Sequence, residues 1–244
     1  MTPDLPQTRW GFPATRWSLV RRSRAGDTRE AEAALEDLCR AYWTPLYAYA
    51  RGRGLARVEA EDRVQEFFAV ALRREVFQRA EEDAGKLRSF LLTALKHHLQ
   101  DAAARAGAAK RRPEGGWVAL DFSAAEADWA RLADAGATPD AAFEREWARA
   151  LLAQALARVE ARYVAEGQAA LFAALRDRAL GAEDAPAGEA AAGLSAGATR
   201  VAAHRLRKRF REALRDAVRD TLPEGGDVDA ELRALRAALE AEGA

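Results

Sequence analysis

Apolar residues recur along this chain at intervals of three and four positions, the spacing that places them on one face of a helix. No stretch shows the convincing alternation of apolar and polar residues that indicates a half-buried strand. The sequence therefore predicts an all-α protein. The predicted helices span residues 14–24, 28–53, 57–72, 86–106, 143–167 and 168–179, followed by a helix that ends near 222 and a short amphipathic helix from 228.

Breaks in the helical pattern predict two small domains, which suits a chain of 244 residues. Glycine and proline around Pro113 end the first helical block, and Thr138-Pro139-Asp140 opens the second. The predicted organisation is an N-terminal arm at 1–13, a helical domain at 14–112, an acidic linker at 113–140, a second helical domain at 141–222 that ends in a helix-turn-helix, and a C-terminal extension at 223–244.

Charges are segregated along the sequence although the formal net charge is zero. Residues 86–112 hold seven Lys and Arg against one Asp, and residues 196–215 hold seven against one Glu. Residues 113–140 hold six acidic side chains and one Arg, and residues 223–244 hold six and two. Two basic patches separated by an acidic segment indicate a protein that binds free DNA weakly and uses a partner to reach it.

The segment from 195 to 215, SAGATRVAAHRLRKRFREALR, predicts a helix with two chemically opposite faces. Ser195 is a favourable N-cap that follows Gly193, so a tight turn should precede the helix. A helix, a tight turn and a second helix with exposed basic residues outline a helix-turn-helix, whose second helix lies in a DNA major groove. The alternative is a solvated amphipathic surface helix. The apolar face consists of Thr199, Ala202, Ala203, Leu206, Phe210, Ala213 and Leu214, and the basic face of Arg200, His204, Arg207, Lys208 and Arg211.

The helix predicted at 57–72 also has two distinct faces. Val64, Phe67, Phe68 and Ala71 form its apolar side. The opposite side presents Asp62, Gln65 and Glu66 either to solvent, which is the common case, or to a partner.

Together these segments resemble the bacterial RNA polymerase sigma factors of the extracytoplasmic-function subfamily, over about 17–222. The sequence DRVQEFF, residues 62–68, resembles the family's D-L-x-Q-E-x-F run, except that Arg63 stands where an apolar residue is usual. Residues 86–112 resemble the family's minus-10 helix, with Asp101, Arg105, Arg111 and Arg112 at the expected places, and residues 195–214 resemble its minus-35 helix-turn-helix. The resemblance implies a dissociable specificity subunit rather than an enzyme.

The roles implied by this resemblance divide among three sets of residues. Asp62, Gln65 and Glu66 would dock on the clamp helices of core RNA polymerase. The minus-10 promoter DNA would be met by Lys96, His97, Gln100, Arg105, Arg111 and Arg112. Arg200 and His204 would meet base edges of the minus-35 element, and Arg207, Lys208 and Arg211 its phosphates. An anti-sigma or other regulatory protein is a further expected kind of partner.

One position departs from the family's pattern. The first helix of the helix-turn-helix should offer a small residue four positions before the turn glycine and an aliphatic one just before it, but Glu189 and Gly188 stand there. A buried carboxylate is costly unless it is paired or protonated. Two alternatives therefore stay open: a polymerase-binding or helical regulatory protein without promoter recognition, and a conventional helix-turn-helix regulator.

Several other classes of protein are not indicated. The single cysteine, Cys39, lies in an apolar pattern and should be a buried small hydrophobe, as expected of a cytoplasmic protein. No apolar run reaches the roughly 20 residues that span a bilayer. The three histidines lack the spacing of a zinc site, and no phosphate-binding loop or nucleophile motif occurs, so no cofactor is expected.

Overall fold

The structure is a computed structural model that describes residues 29–72, 86–105, 122–134, 136–180 and 193–241. Over these residues it contains eight helices and no strand, so the all-α prediction is confirmed. None of the helices in the described segments is both long and apolar enough to cross a membrane. The helices are α1 (Arg29–Gly52), α2 (Arg57–Leu72), α3 (Leu87–Arg105), α4 (Phe122–Asp134), α5 (Pro139–Ala165), α6 (Ala169–Leu180), α7 (Ala196–Arg219) and α8 (Val228–Glu240).

The chain divides into two compact units. In the described residues, the first unit contains α1 to α4, the first turn of α5 and the segment Asp220–Asp227. The second unit contains α5 from Phe143 onward together with α6, α7 and α8. The predicted arm at 1–13 and the predicted helix at 14–24 lie outside the described residues.

The first unit is built on apolar faces of α1, α2 and α3. The predicted apolar side of α2 is buried at Val64, Phe67 and Phe68. Cys39 in α1 is 3% exposed, which confirms its assignment as a buried hydrophobe. Pro45 lies inside α1, which continues through it to Gly52. The apolar side chains that α3 buries include Leu87, Leu91, Leu92, Leu95 and Ala102.

Helix α4 occupies the middle of the segment that the charge pattern predicted as a linker. Phe122, Ala125, Trp129 and Leu132 recur at three- and four-residue spacing, so α4 has an apolar side. Leu132 is fully buried and clusters with Ala48 of α1, and Trp129 packs against this cluster. Residues 122–134 are thus part of the packed first unit, because the apolar spacing outweighs the high acidic content.

A close backbone approach joins the end of α1 to the start of α5. A Cβ atom added to Gly52 would lie 2.8 Å from the Cα of Pro139, closer than such atoms come in real structures. The first turn of α5 is capped by Thr138, whose Oγ1 accepts a hydrogen bond from the backbone N–H of Ala141 at 3.2 Å. Position 52 therefore requires the absence of a side chain.

The core of the second unit joins α5, α6 and α7. Each helix contributes two buried residues to one cluster, and Phe210 packs against it from α7. Helix α8 packs on α7 through its own apolar side, with Leu235 only 4% exposed. The six buried residues of the cluster are Val159, Tyr163, Phe172, Leu175, Ala203 and Leu206.

Candidate functional site

Helix α7 begins as its sequence predicted. Gly193 has a φ of 76°, a left-handed conformation that glycine adopts without strain. The Oγ of Ser195 accepts a hydrogen bond from the N–H of Ala198 at 3.3 Å, and its carbonyl accepts one from the N–H of Thr199 at 2.8 Å. Ser195 is therefore the N-cap of α7.

The two faces of α7 have opposite environments. Thr199, Ala203 and Leu206 are buried, and the other residues of the predicted apolar face are partly buried. The predicted basic residues lie on the other side, where Arg207 is half-buried. The remaining four, which are Arg200, His204, Lys208 and Arg211, are exposed.

Two residues on the outward side of α7 were missed by the sequence analysis. Arg205 is exposed and lies beside Lys208 on the helix surface, three positions before it. Val201 is 51% exposed although it is apolar, and it lies on the side of the helix opposite Leu206. A helical projection centred on the buried residues, rather than a search for basic residues, would have found both.

Other arginines of α7 are held by carboxylates within the second unit. Arg209 donates to Glu166 at 2.8 Å and lies over the ring of Tyr163, 4.8 Å from its centroid. Arg215 forms an ion pair with Asp229 of α8, and Arg219 forms one with Asp216. Hydrogen bonds from Arg209, and then from Arg162, lower the pKa of Glu166. Arg209 and Arg215 therefore anchor α7 to its own unit, whereas the Arg219–Asp216 pair lies within α7.

The trio of polar residues predicted to face a partner on α2, Asp62, Gln65 and Glu66, differ in their exposure. Asp62 and Gln65 are exposed, whereas Glu66 is half-buried. Glu66 accepts a hydrogen bond from Arg63 at 2.9 Å, and the Nε2 of His98 lies 3.6 Å from the same carboxylate oxygen. Arg63, the residue that departs from the resembled motif, is thus the ion-pair partner of Glu66. Asp62 and Gln65 are the members of the trio best placed to meet a partner.

The predicted DNA-contacting part of α3 lies beside an acidic residue. Lys96 donates to Asp140 at 2.6 Å, and its ammonium group lies 5.3 Å from the centroid of the Tyr49 ring. His97 and Gln100 are exposed. Lys96 and Gln100 share an open cavity of about 340 Å³. The cavity is lined by Tyr49, Arg53, Leu55, Lys96, Leu99, Gln100, Ala103 and Asp140.

A polar cluster joins α4 to α1. Arg51 donates to both carboxylate oxygens of Glu126, from Nε at 3.0 Å and from Nη2 at 2.8 Å, and the Tyr47 hydroxyl donates to Glu126 as well. Burial alone would raise the pKa of Glu126, but the hydrogen bonds from Arg51 and Tyr47 outweigh it and lower the pKa. Burial, and then the bond to Glu126, raise the pKa of Tyr47, so this hydroxyl stays a donor. The cluster fixes α4 on α1.

The C-terminal extension contributes to the fold of the second unit. Besides the Arg215–Asp229 pair, the Nη2 of Arg145 in α5 donates to the carbonyl of Ala241 at 2.7 Å. Arg145 is 5% exposed, so this bond lies in a protected environment. The contacts of the extension with α7 include Arg215, which follows the predicted DNA-binding residues in the chain. The extension thus packs on the second unit, and its ion pair with α7 lies at Arg215, beyond the predicted DNA-binding residues 200–211.

Some of the predicted site residues lie outside the described structure. Arg111 and Arg112 belong to this group, as do Gly188 and Glu189, the positions that depart from the helix-turn-helix pattern. The backbone of Arg105 ends α3, but its side chain is outside the description. No family model, curated protein or solved structure matches the chain. Function is therefore inferred from the exposed surfaces of α2, α3 and α7.

Proposed function

We propose that this protein is a specificity subunit of RNA polymerase, of the sigma-factor kind, that directs the core enzyme to promoters. The observation that carries the proposal is the division of α7 into a buried apolar face and an exposed cationic face that begins at a well-formed N-cap. The order of the three resembling segments along the chain, at 62–68, 86–112 and 195–214, supports the same proposal.

The cationic face of α7 fits duplex DNA in both shape and charge. A single helix is the right width for the major groove, and its first turns are the part that reaches base edges. Arg200 and His204 lie in these turns, whereas Lys208 and Arg211 lie one to two turns later, where they would meet phosphates. Because Arg209 and Arg215 are held by carboxylates outside α7, they are assigned to the fold and not to DNA.

The exposed face of α2 fits a protein partner better than a nucleic acid. Asp62 and Gln65 project from the side opposite the buried Phe67, and Glu59 is exposed nearby. Acidic side chains would repel phosphates, but they suit a basic surface such as the clamp helices of the polymerase. The pairs Arg57–Glu61 and Arg63–Glu66 lie within α2 itself and reduce the positive charge that α2 offers to DNA.

The neutral overall charge suits a protein that acts within a complex. Attraction to phosphates supplies most of the non-specific affinity of a DNA-binding protein, and an acidic segment lowers it. We propose that docking of α2 on the polymerase brings α3 and α7 to the promoter. The DNA contacts then add to a protein–protein interface that has already formed.

Run-off transcription with core polymerase tests the proposal. The variant Asp62→Asn with Gln65→Ala should lose protein-dependent transcripts, and its affinity for core polymerase should fall. The control Glu240→Gln removes one exposed, ion-paired carboxylate from α8 and should leave both properties unchanged. Transcripts that depend on the protein and survive the α2 variant would contradict docking through this face.

A second function is favoured by the contact between Lys96 and Asp140. With its cation engaged by a carboxylate, α3 has a weaker attraction for DNA, as expected of a regulatory protein that binds polymerase without reading promoters. The same assay separates the two functions. Binding to core polymerase that depends on Asp62, without any protein-dependent transcript from a promoter library, would favour the regulatory function and overturn promoter selection.

A further inference from the structure

Val201 is one of three large apolar side chains, in the described residues, that are strongly exposed. Its exposed fraction is 51%, against 65% for Val58 and 56% for Val164. Single exposed apolar residues are common on soluble proteins, so exposure alone does not indicate a binding site. The position of Val201 is a stronger indication of function, because the residue lies on the outward side of α7 among the cations proposed to meet DNA.

The surroundings of Val201 combine small residues with positive charge. One turn before it, Gly197 and Ala198 are exposed, and a Cβ added to Gly197 would meet nothing within 4 Å. At three and four positions after it, His204 and Arg205 are exposed on the same side of the helix. A groove wall can therefore approach the first turns of α7 closely while Arg205 on that face meets its phosphates.

The chemistry of the side chain limits what Val201 can recognise there. It has no hydrogen-bond donor or acceptor, so it gains nothing from the polar edges of guanine, adenine or cytosine. The only apolar group that a standard base pair presents in the major groove is the C5-methyl group of thymine. Contact between two apolar surfaces removes both from water, which is favourable.

From this placement we infer that Val201 is a specificity-determining residue that recognises the C5-methyl group of a thymine in the duplex bound by α7. The inference rests on the proposed function, since it requires that α7 enter the major groove. Val201 would add recognition of an apolar group on the DNA, which the cations do not supply. Arg200 and His204 hydrogen-bond to base edges, whereas Val201 distinguishes thymine by shape and apolarity.

The test uses duplexes that the full-length protein, bound to core RNA polymerase, selects from a random DNA library. Each thymine of a selected duplex is replaced in turn by deoxyuridine, which lacks only the methyl group. At one position this replacement should weaken binding of the wild-type protein about fourfold, the equivalent of one buried methylene group. Val201→Ala should weaken binding to the unmodified duplex by a similar factor.

The decisive result is the combination of the two changes. In Val201→Ala, the same deoxyuridine substitution should have no further effect, because the methyl group has lost its partner. Val201→Thr, which retains one methyl group, should keep part of the sensitivity. The matched control Val164→Ala removes an equally exposed valine from α5 and should bind the unmodified and substituted duplexes as the wild type does.

Two outcomes would overturn the inference in distinguishable ways. Selection of a duplex whose affinity is insensitive to every deoxyuridine substitution, or whose sensitivity persists in Val201→Ala, would overturn the role of Val201 alone. Failure of the complex between the full-length protein and core polymerase to select any duplex would overturn DNA binding by α7, and this inference with it. Thermal unfolding of Val201→Ala should match the wild type, which separates recognition from folding.

Discussion

Helices α2 and α7 both present charged faces, but arginines of α7 also form ion pairs with carboxylates outside their own helix. In α2, Arg57 pairs with Glu61 and Arg63 with Glu66, all within one helix. In α7, Arg209 and Arg215 reach carboxylates that lie 43 and 14 residues away in sequence. Local pairs adjust the charge of a surface, whereas distant pairs hold the fold. The same residue type therefore serves two purposes on α7, and only the structure separates them.

The largest expected effect comes from truncating a side chain on the buried face of α7. Leu206 is fully buried in the core of the second unit, so Leu206→Ala should lower the free energy of unfolding by about 2–5 kcal/mol. Urea unfolding followed by circular dichroism measures this change. Val201→Ala on the exposed side of the same helix is the control and should change stability little. Equal stability of the two variants would show that α7 is not docked by this face.

A smaller loss of stability is expected where a distant ion pair holds the first unit. Glu126→Gln replaces the carboxylate with an amide, which has a single acceptor oxygen and cannot accept both hydrogen bonds from Arg51. We expect the free energy of unfolding to fall by about 2 kcal/mol. Asp128→Asn, at an exposed pair within α4, should cost much less. Comparable losses in the two variants would remove the distinction between distant and local pairs.

The effect of Glu126→Gln should also depend on pH. The pKa of Glu126 in the folded protein lies below its ordinary value of 4.5, so the carboxylate stabilises the fold above that pH. As the pH falls below 4.5 and through the lowered folded pKa, the stabilisation is lost. The difference in unfolding free energy between the wild type and Glu126→Gln should therefore shrink across this range. A difference that stays constant down to pH 3 would contradict the role of the charged carboxylate.

The exposed cations of α7 should affect DNA binding more than stability. Arg200→Ala should weaken binding to a selected duplex about tenfold, because a base-edge contact is lost. Arg219→Ala is the matched control, since Arg219 is the last residue of α7, about five turns after Arg200, and pairs with Asp216 of the same helix. Fluorescence anisotropy at several salt concentrations measures both affinities. If Arg219→Ala weakened binding as much as Arg200→Ala, the assignment of base contacts to the first turns of α7 would be wrong.

The smallest expected effect concerns the acid beside Lys96. Asp140→Asn should strengthen binding of the full-length protein to a single-stranded 20-nucleotide DNA about two- to fivefold, because Lys96 would no longer be shared with a carboxylate. In the Lys96→Gln background the same substitution should have little effect. An equal gain from Asp140→Asn in both backgrounds would mean that Asp140 acts through general repulsion of phosphates.

The sequence alone predicts the helices well where apolar spacing and end signals agree. The predicted helix at 57–72 matches α2, and the Ser195 cap and the buried side of α7 are confirmed. Helix α4 was missed because acidic content was taken as the mark of a linker, although Phe122, Trp129 and Leu132 carry the helical spacing. Charge composition describes solubility, whereas apolar spacing determines whether a segment can pack.

The contacts at the candidate surfaces could not be predicted in the same way. Arg51 and Glu126 are 75 residues apart and Lys96 and Asp140 are 44 apart, so only the folded chain brings each pair together. Glu66 was expected to face a partner, yet its pairing with Arg63 depends on rotamers that no pattern specifies. Val201 was overlooked because an apolar residue in an amphipathic helix is ordinarily assigned to the core.

The close approach of Gly52 to Pro139 has a consequence for engineering this protein. Glycine in the last turn of a helix is a common target for thermostabilisation, since alanine has a helix propensity better by about 1 kcal/mol. Here the added methyl group would meet the Pro139 backbone at 2.8 Å, so the substitution would separate α1 from the start of α5. A library of stabilising substitutions should leave position 52 unchanged. We expect related sequences to keep glycine there, even though the residue is partly exposed.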